Sequence, residues 1–324
     1  MIKTYAQAIK DTLDEELMND PNLFLFGEDI GVYGGCFGAT KGLQEKYGNK
    51  RVIDSPMSEQ AIAGLGIGAA LNGLRPVIEI MFMDFITLIY DQILNHASIF
   101  SYLSNGEMKV PLVIRVPAGG GRGYGATHSK SLWSALMNIP GIKIIAPSNT
   151  REVSGLLRAA IKDNNPVIFV EHKSLYQIKD DVENAEDIIP IGKAKIVKEG
   201  NDLLLISFSK MVLDCLEVAN KLENEGISIE VLDLRTVKPL DIETIKNSID
   251  KIGKVIVVEE GFPQSGIAAE IIAQINEVCF YSLDGPIKRI CTLEIPLPCS
   301  PKLENMAIPS KERIENEIRS MLNE

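Results

Sequence analysis

The chain is poor in the residues that most often announce a metal, a disulfide or a nucleotide. Among its 324 residues there are only three histidines, His96, His128 and His172. No two of them are spaced to form a metal pair on one helix, which argues against a zinc enzyme. The five cysteines, Cys36, Cys215, Cys279, Cys291 and Cys299, are odd in number and form no CxxC. That excludes a zinc ribbon and fits reduced, mostly buried thiols in a cytosol. There is no GxxxxGK(S/T) and no GxSxG, so neither a Walker-type phosphate loop nor a serine hydrolase elbow is present. Positive charge is in deficit, giving a net −11, and this opposes attraction to nucleic acid phosphates or anionic lipid. No apolar run reaches the ~18 residues of a membrane span. Residues 1–18 read as an amphipathic helix rather than a signal peptide. The expectation is a cytoplasmic chain with no nucleic acid and no membrane partner.

What is abundant is the material of a packed core: 45% apolar residues against 24% charged, too little charge for disorder. At roughly 150 residues per domain, the length favours two domains. Short β-rich runs at 23–27, 51–55, 76–80, 111–116, 142–147 and 166–171 alternate with helix-length segments such as 58–72 and 150–162. This is the rhythm of an α/β protein with a parallel sheet covered on both faces. Residues 172–192 turn polar and acidic. A second α/β series follows, with a hairpin expected from runs 193–198 and 202–208 around Glu199-Gly200-Asn201, strands at 228–234, 254–260 and 286–293, and a closing helix at 311–322. The chain therefore divides into an α/β domain over 1–180, a linker over 181–192 and a smaller α/β domain over 193–324.

Three features invite a functional reading. Gly64-Leu65-Gly66-Ile67-Gly68 lacks the spacing of a dinucleotide fingerprint and lies inside a helix-length segment, where small residues serve close packing. His128 follows a run of five glycines between 119 and 125, and a loop that retains such costly flexibility often needs backbone close to a ligand or partner. Glu59, after Asp54-Ser55-Pro56-Met57-Ser58, would open a helix capped by Ser58. On residue chemistry alone it reads as a carboxylate favoured by the helix dipole.

Taken in order, Phe26-Gly27-Glu28-Asp29-Ile30-Gly31, Arg51 to Glu59, Gly73-Leu74-Arg75-Pro76-Val77, Asp91-Gln92-Ile93, His128-Ser129, Pro140-Gly141-Ile142-Lys143, Asp163 to Ile168 and Asp233-Leu234-Arg235-Thr236 form one pattern. Over nearly its whole length the chain resembles the β subunit of the thiamine diphosphate-dependent E1 component of 2-oxo acid dehydrogenase complexes. The resemblance implies a transketolase-like pyrimidine-binding domain followed by a transketolase C-terminal domain. The sequence has no Gly-Asp-Gly. In the family, the segment that holds Mg²⁺ and the diphosphate belongs to a separate α subunit, so the site would form between chains of an α2β2 assembly containing a second β subunit.

The same resemblance assigns roles. Glu59 matches the glutamate that hydrogen-bonds N1′ of the aminopyrimidine and favours its imino tautomer. Phe85 matches the aromatic stacked on that ring, although the run IEIMFMDF also suits an ordinary core phenylalanine. Met57 would supply apolar wall beside the ring. Glu28 and Asp91 match acidic positions of a polar passage between two active sites; Leu88 stands where some relatives have Glu, so Glu28 is read as a cofactor-side hydrogen-bonding group. His128 matches a histidine expected to bind the intermediate and deliver protons as the lipoyl disulfide is reduced, with Lys130 a departure beside it. A structural potassium ion is implied at the carbonyls of Leu112, Ala160, Ile161, Asp163 and Asn165; Asp163-Asn164-Asn165-Pro166 alone reads as a helix-ending turn.

The implied activity is oxidative decarboxylation of a 2-oxo acid, with pyruvate first, and reductive acylation of a lipoyl-bearing E2 acyltransferase. Acetoin dehydrogenase and branched-chain 2-oxo acid subunits share these motifs. A non-catalytic α/β assembly subunit is the reading from another class, disfavoured by Glu59, Phe85 and His128 occurring together.

Overall fold

The computed structural model describes residues 1–323 and separates into two compact units. The first comprises Met1–Ala118 and Met137–Ile191, the second Gly119–Leu136 and Gly192–Glu324.

In the first unit, β1 (Ile2–Thr4), β2 (Leu23–Gly27), β3 (Val52–Asp54), β4 (Arg75–Glu79), β5 (Val113–Ala118), β6 (Lys143–Ile145), β7 (Val167–His172) and β8 (Lys179–Asp181) are the strands. Six of them form a parallel sheet in the order β6-β7-β5-β4-β2-β3. Every residue of β2, β5 and β7 is buried, as continuous apolar runs require when helices cover both faces. Helix Tyr5–Asn19 begins with a capping box, Thr4 with Gln7, and packs against helix Thr150–Lys162. The latter is capped by Asn149, whose side chain accepts from Glu152 N–H at 3.0 Å. Of the three glycines read as packing residues, Gly66 alone meets that reading, since a methyl group there would lie 3.0 Å from Ile78 Cγ2 of β4, whereas one on Gly64 or Gly68 would meet nothing within 4 Å.

A strand, β8, ends at Asp181, the first residue of the segment read as linker. Antiparallel pairing of β8 with β1 sets Ile2 opposite Asp181. All three side chains of β8 are exposed, so no hydrophobic alternation marks it in the sequence.

The second unit holds β9 (Lys195–Lys198), β10 (Leu203–Ser207), β11 (Ile229–Asp233), the short β12 (Thr236–Lys238), β13 (Val255–Val258) and β14 (Lys288–Ile290). Its five-stranded sheet has the order β14-β13-β10-β11-β9, parallel except for β9. The expected hairpin is absent, because β9 pairs antiparallel with β11, not with β10. The reason lies at Gly200: a Cβ there would sit 2.1 Å from the Ile229 carbonyl carbon and 2.2 Å from Glu230 N. The chain passes directly over the start of β11, tied by Asn201 and Asp202 N–H to Ser228 C=O, and therefore cannot fold back on itself. Helices Met211–Glu223 and Lys311–Asn323 close the core over β10, β11 and β13.

Candidate active site

Glu28 follows β2 directly and Glu59 opens the helix after β3, so adjacent parallel strands deliver both carboxylates to the carboxyl end of the sheet, where open α/β sheets bind ligands. Burial pushes the Glu28 carboxyl above the usual carboxylate range. Negative Glu59 pushes it further, and a hydrogen bond from Ser58 N–H offsets part of the rise. The two predicted acids are therefore electrostatic neighbours. Ser58 does hold the N-cap position, but its hydroxyl makes no capping bond; its backbone N–H serves Glu28 instead. Asp54 ties this corner together by accepting from Gly31 N–H at 2.6 Å.

Glu28 Oε1, Ser55 Oγ and Gln92 Oε1 are buried without a hydrogen-bond partner. Such groups are costly unless something supplies the missing partners. Phe85 lies half-buried in the turn Met83–Ile89, edge-on to Phe82 at 6.0 Å. Beyond it Phe82 meets Phe37, which stacks on Tyr176 at 4.5 Å. Met57 is 85% exposed, and Val32, Tyr33, Leu65 and Leu88 are exposed too. Asp91 is exposed and is hydrogen-bonded by Asn95 Nδ2 at 2.6 Å.

His128 belongs by its contacts to the second unit, although it lies within the stretch expected to form the first domain. Its Nδ1 is 2.9 Å from Thr127 Oγ1, and its N–H donates to Gly125 C=O. Lys130 reaches back to Ala126 C=O.

The five carbonyls implied for potassium lie around the turn after helix Thr150–Lys162. Ile161 and Asp163 C=O converge on a single nitrogen, Arg75 Nη1, at 2.9 and 3.2 Å. Leu112 C=O accepts from Val167 N–H and Ala160 C=O from Asp163 N–H. Burial raises the Asp163 carboxyl, but hydrogen bonds from Lys143 and from Asn165 outweigh it and hold the group below its usual range. Among the described residues no cluster of His, Cys, Asp and Glu could hold a metal ion, so a cation here would rest on backbone oxygens.

Sequence reasoning missed a buried ion network in the first sheet. Arg115 on β5 donates from Nη1 to Glu79 on β4 at 2.6 Å, and from Nε and Nη2 to Glu171 on β7 at 2.6 and 2.8 Å. Tyr176 Oη donates to Glu171 at 2.5 Å. The signal was present: three lone charges inside the apolar runs PVIEI, PLVIRVPA and PVIFVE.

Two sequential α/β units, the first offering paired acids and orphaned polar atoms at its sheet end, define the architecture of the transketolase class. The family "Transketolase, pyrimidine binding domain" matches residues 3–179, and "Transketolase, C-terminal domain" matches residues 192–314. A solved structure described as a split gene transketolase in an inactive β4 tetramer has the same fold, with a TM-score of 0.79, 19% identity and 98% of each chain covered. Among curated proteins, the pyruvate dehydrogenase E1 component subunit beta of Gracilaria tenuistipitata var. liui is 44% identical, covering 97% of this chain and 98% of that one. The same subunit of Bacillus subtilis (strain 168) is 43% identical with 98% of each covered, and that organism's 2-oxoisovalerate dehydrogenase subunit beta is 42% identical over 99% and 98%. The chain belongs to the family of E1 β subunits of 2-oxo acid dehydrogenase complexes.

Proposed function

We propose that this chain is the β subunit of an E1 enzyme that oxidatively decarboxylates pyruvate and passes the acetyl group to lipoyl-E2, using thiamine diphosphate shared with an α subunit. The observation that carries the reading is the pair Glu28 and Glu59, with one buried oxygen of Glu28 lacking a donor. An aminopyrimidine carries N–H groups that suit such acceptors, so the residues present fit the pyrimidine end of the cofactor. When bound, thiamine diphosphate supplies the electron sink for loss of CO₂.

This chain's residues do the rest. Glu59 would hold a proton at N1′ of the pyrimidine, and Glu28 would accept a further hydrogen bond. Phe85 and Met57 would give the ring apolar walls, a stacked aromatic adding about 0.5–1.5 kcal/mol beyond area burial. His128 would handle protons as the lipoyl disulfide is reduced, chemistry that suits imidazole. Mg²⁺ and the diphosphate fall to the α subunit, since the sequence has no Gly-Asp-Gly. Exposed Met57, Val32 and Tyr33 support a partner chain over this surface. The C-terminal domain would pair with a second β subunit and help dock E2, whose basic binding domains suit a chain of net charge −11.

A structural potassium ion at Leu112, Ala160, Ile161, Asp163 and Asn165 is part of the proposal. It is supported by backbone oxygens, which suit a hard cation; the ion would have to share or displace the Arg75 guanidinium that Ile161 and Asp163 C=O now face. Equal thermal stability in potassium and in a large organic cation would count against it. Five free cysteines fit a reducing, cytoplasmic setting. A branched-chain substrate is the second reading, favoured by the 42% identity to 2-oxoisovalerate dehydrogenase subunit beta.

The test is reconstitution with an α subunit. Pyruvate should be turned over faster than 2-oxoisovalerate or acetoin, and Glu59→Gln should lower turnover at least a hundredfold, the scale of a lost acid–base group. Near parental activity in Glu59→Gln would remove the assignment.

A further inference from the structure

The loop that carries His128 is poorly equipped to hold its own shape. Gly119, Gly121, Gly123 and Gly125 all take positive φ, between 70 and 94°, and a glycine-rich segment has the most backbone freedom to lose on ordering. Its fixed shape must come from ties to its surroundings. At the neck, Gly119 N–H reaches Lys130 C=O at 3.4 Å. A single carboxylate oxygen, Glu260 Oε1, accepts from Gly120 N–H at 2.6 Å and from Ser131 Oγ at 3.3 Å, which joins the beginning of the loop to its end. Glu260 follows β13, is 5% exposed, and is anchored through its own carbonyl by Trp133 Nε1 at 3.0 Å. Trp133 is fixed in turn, buried edge-on against Phe208. Further along the loop Glu304 accepts from Gly123 N–H at 2.8 Å.

The loop also packs closely on one side, where a Cβ on Gly120 would lie 3.1 Å from Leu297 Cδ1 and one on Gly125 2.4 Å from Cys299 Sγ. Behind the neck lies a cavity of about 30 Å³, lined by Ser129, Glu260, Phe262, Thr292, Pro296 and Leu297 among others. Ser129 Oγ and Thr292 Oγ1 are buried there without partners. The space suits a single water rather than a wedge of side chains that would hold the loop on its own. One carboxylate oxygen receives both bonds, so both ties depend on a single side chain.

We propose that Glu260 is a positioning residue for His128: its buried carboxylate closes the neck of the Gly119–Ser131 loop and fixes where the imidazole is presented. The inference rests on the catalytic reading of His128 given above. It implies that loss of Glu260 affects the step served by His128 and spares the step served by Glu59.

The experiment uses the reconstituted enzyme with Glu260→Ala, Glu260→Gln and Ser131→Ala, the last removing one tie with little risk to folding. Hydrogen exchange of amides 119–131 and two rates are measured: acylation of a free lipoyl domain, and pyruvate decarboxylation with an artificial electron acceptor. Glu260→Ala should raise exchange in the loop at least tenfold. It should also slow lipoyl acylation about tenfold or more while changing decarboxylation less than threefold. Glu260→Gln keeps an acceptor oxygen and should recover most of both effects, and Ser131→Ala should show a smaller rise in exchange. Unchanged exchange in Glu260→Ala, equal losses in the two rates, or no recovery with Gln would overturn the proposal. If the unsubstituted enzyme turned over no 2-oxo acid, the functional reading would fall, while the exchange data would still judge the clasp.

Discussion

Replacing Arg115 by Met tests the charge arrangement inside the first sheet. The guanidinium makes three hydrogen bonds of 2.6–2.8 Å to Glu79 and Glu171, and all three side chains are buried. Met approximates the stem of Arg but leaves two carboxylates beside each other without a counter-charge. Breaking a buried pair from one side costs about 3–5 kcal/mol, a large share of the ~5–15 kcal/mol that holds a domain folded. For a unit of this size each kcal/mol moves the thermal midpoint by about 2–4 °C, so a fall of roughly 10 °C is expected at pH 7.5. The pH dependence is diagnostic. Burial already pushes the Glu79 carboxyl above its ordinary 4.5, and Arg115 opposes that push; without Arg115 the group rises further. Above 4.5 the folded variant then keeps a proton that the unfolded chain has released, so its stability falls with rising pH and recovers as pH drops toward 4.5. Melts followed by circular dichroism at pH 7.5 and 5.5 should show the gap to the parent narrowing. Adding Glu79→Gln and Glu171→Gln should restore much of the loss. An Arg115→Met protein within about 1 kcal/mol of the parent at pH 7.5, or a gap that does not move with pH, refutes the reasoning.

Glu259 offers a second pH test. Burial pushes its carboxyl up to about 7 despite N–H bonds from Ala268 and Ile267. Its contribution is therefore complete below about pH 4.5 and lost as pH rises through 7, about 3 kcal/mol over that window. Glu259→Gln should flatten the decline in thermal midpoint between pH 5 and 8, and an unchanged slope counts against the shift. Gly200→Ala should cost about 3 kcal/mol or more in urea unfolding, because the new methyl group meets backbone of Ile229 and Glu230 that has no side-chain freedom to move; a neutral effect would mean the crossing is looser than described. His128→Ala should reduce lipoyl acylation more than decarboxylation measured with an artificial acceptor, and equal losses would remove its assigned role.

The α/β alternation was legible because buried parallel strands are short, continuous and apolar; LFLFG and VIRVPA name themselves. The pairing of β9 was not, since nothing local to residues 193–208 records that Gly200 must clear another strand's backbone. Likewise β1 and β8 are three-residue pieces held by backbone pairing, with side chains that carry no pattern. At the candidate site, motifs single out Glu28 and Glu59, and their electrostatic coupling follows from adjacent strands. Glu260 and Glu304 could not be found that way, because their partners are glycine amides some 140 and 181 residues away in sequence. Backbone donors leave no trace in side-chain identity.

The allegiance of Gly119–Leu136 to the second unit limits how this protein can be dissected. A fragment cut at residue 192 would look like a complete C-terminal module by sequence, yet it would strip the indole from Phe208 and abandon two interior carboxylates to solvent. Chimeras that exchange C-terminal halves between relatives meet the same obstacle. The glycine-rich insert has to travel with the half it grips, so the workable unit of exchange is discontinuous along the polypeptide.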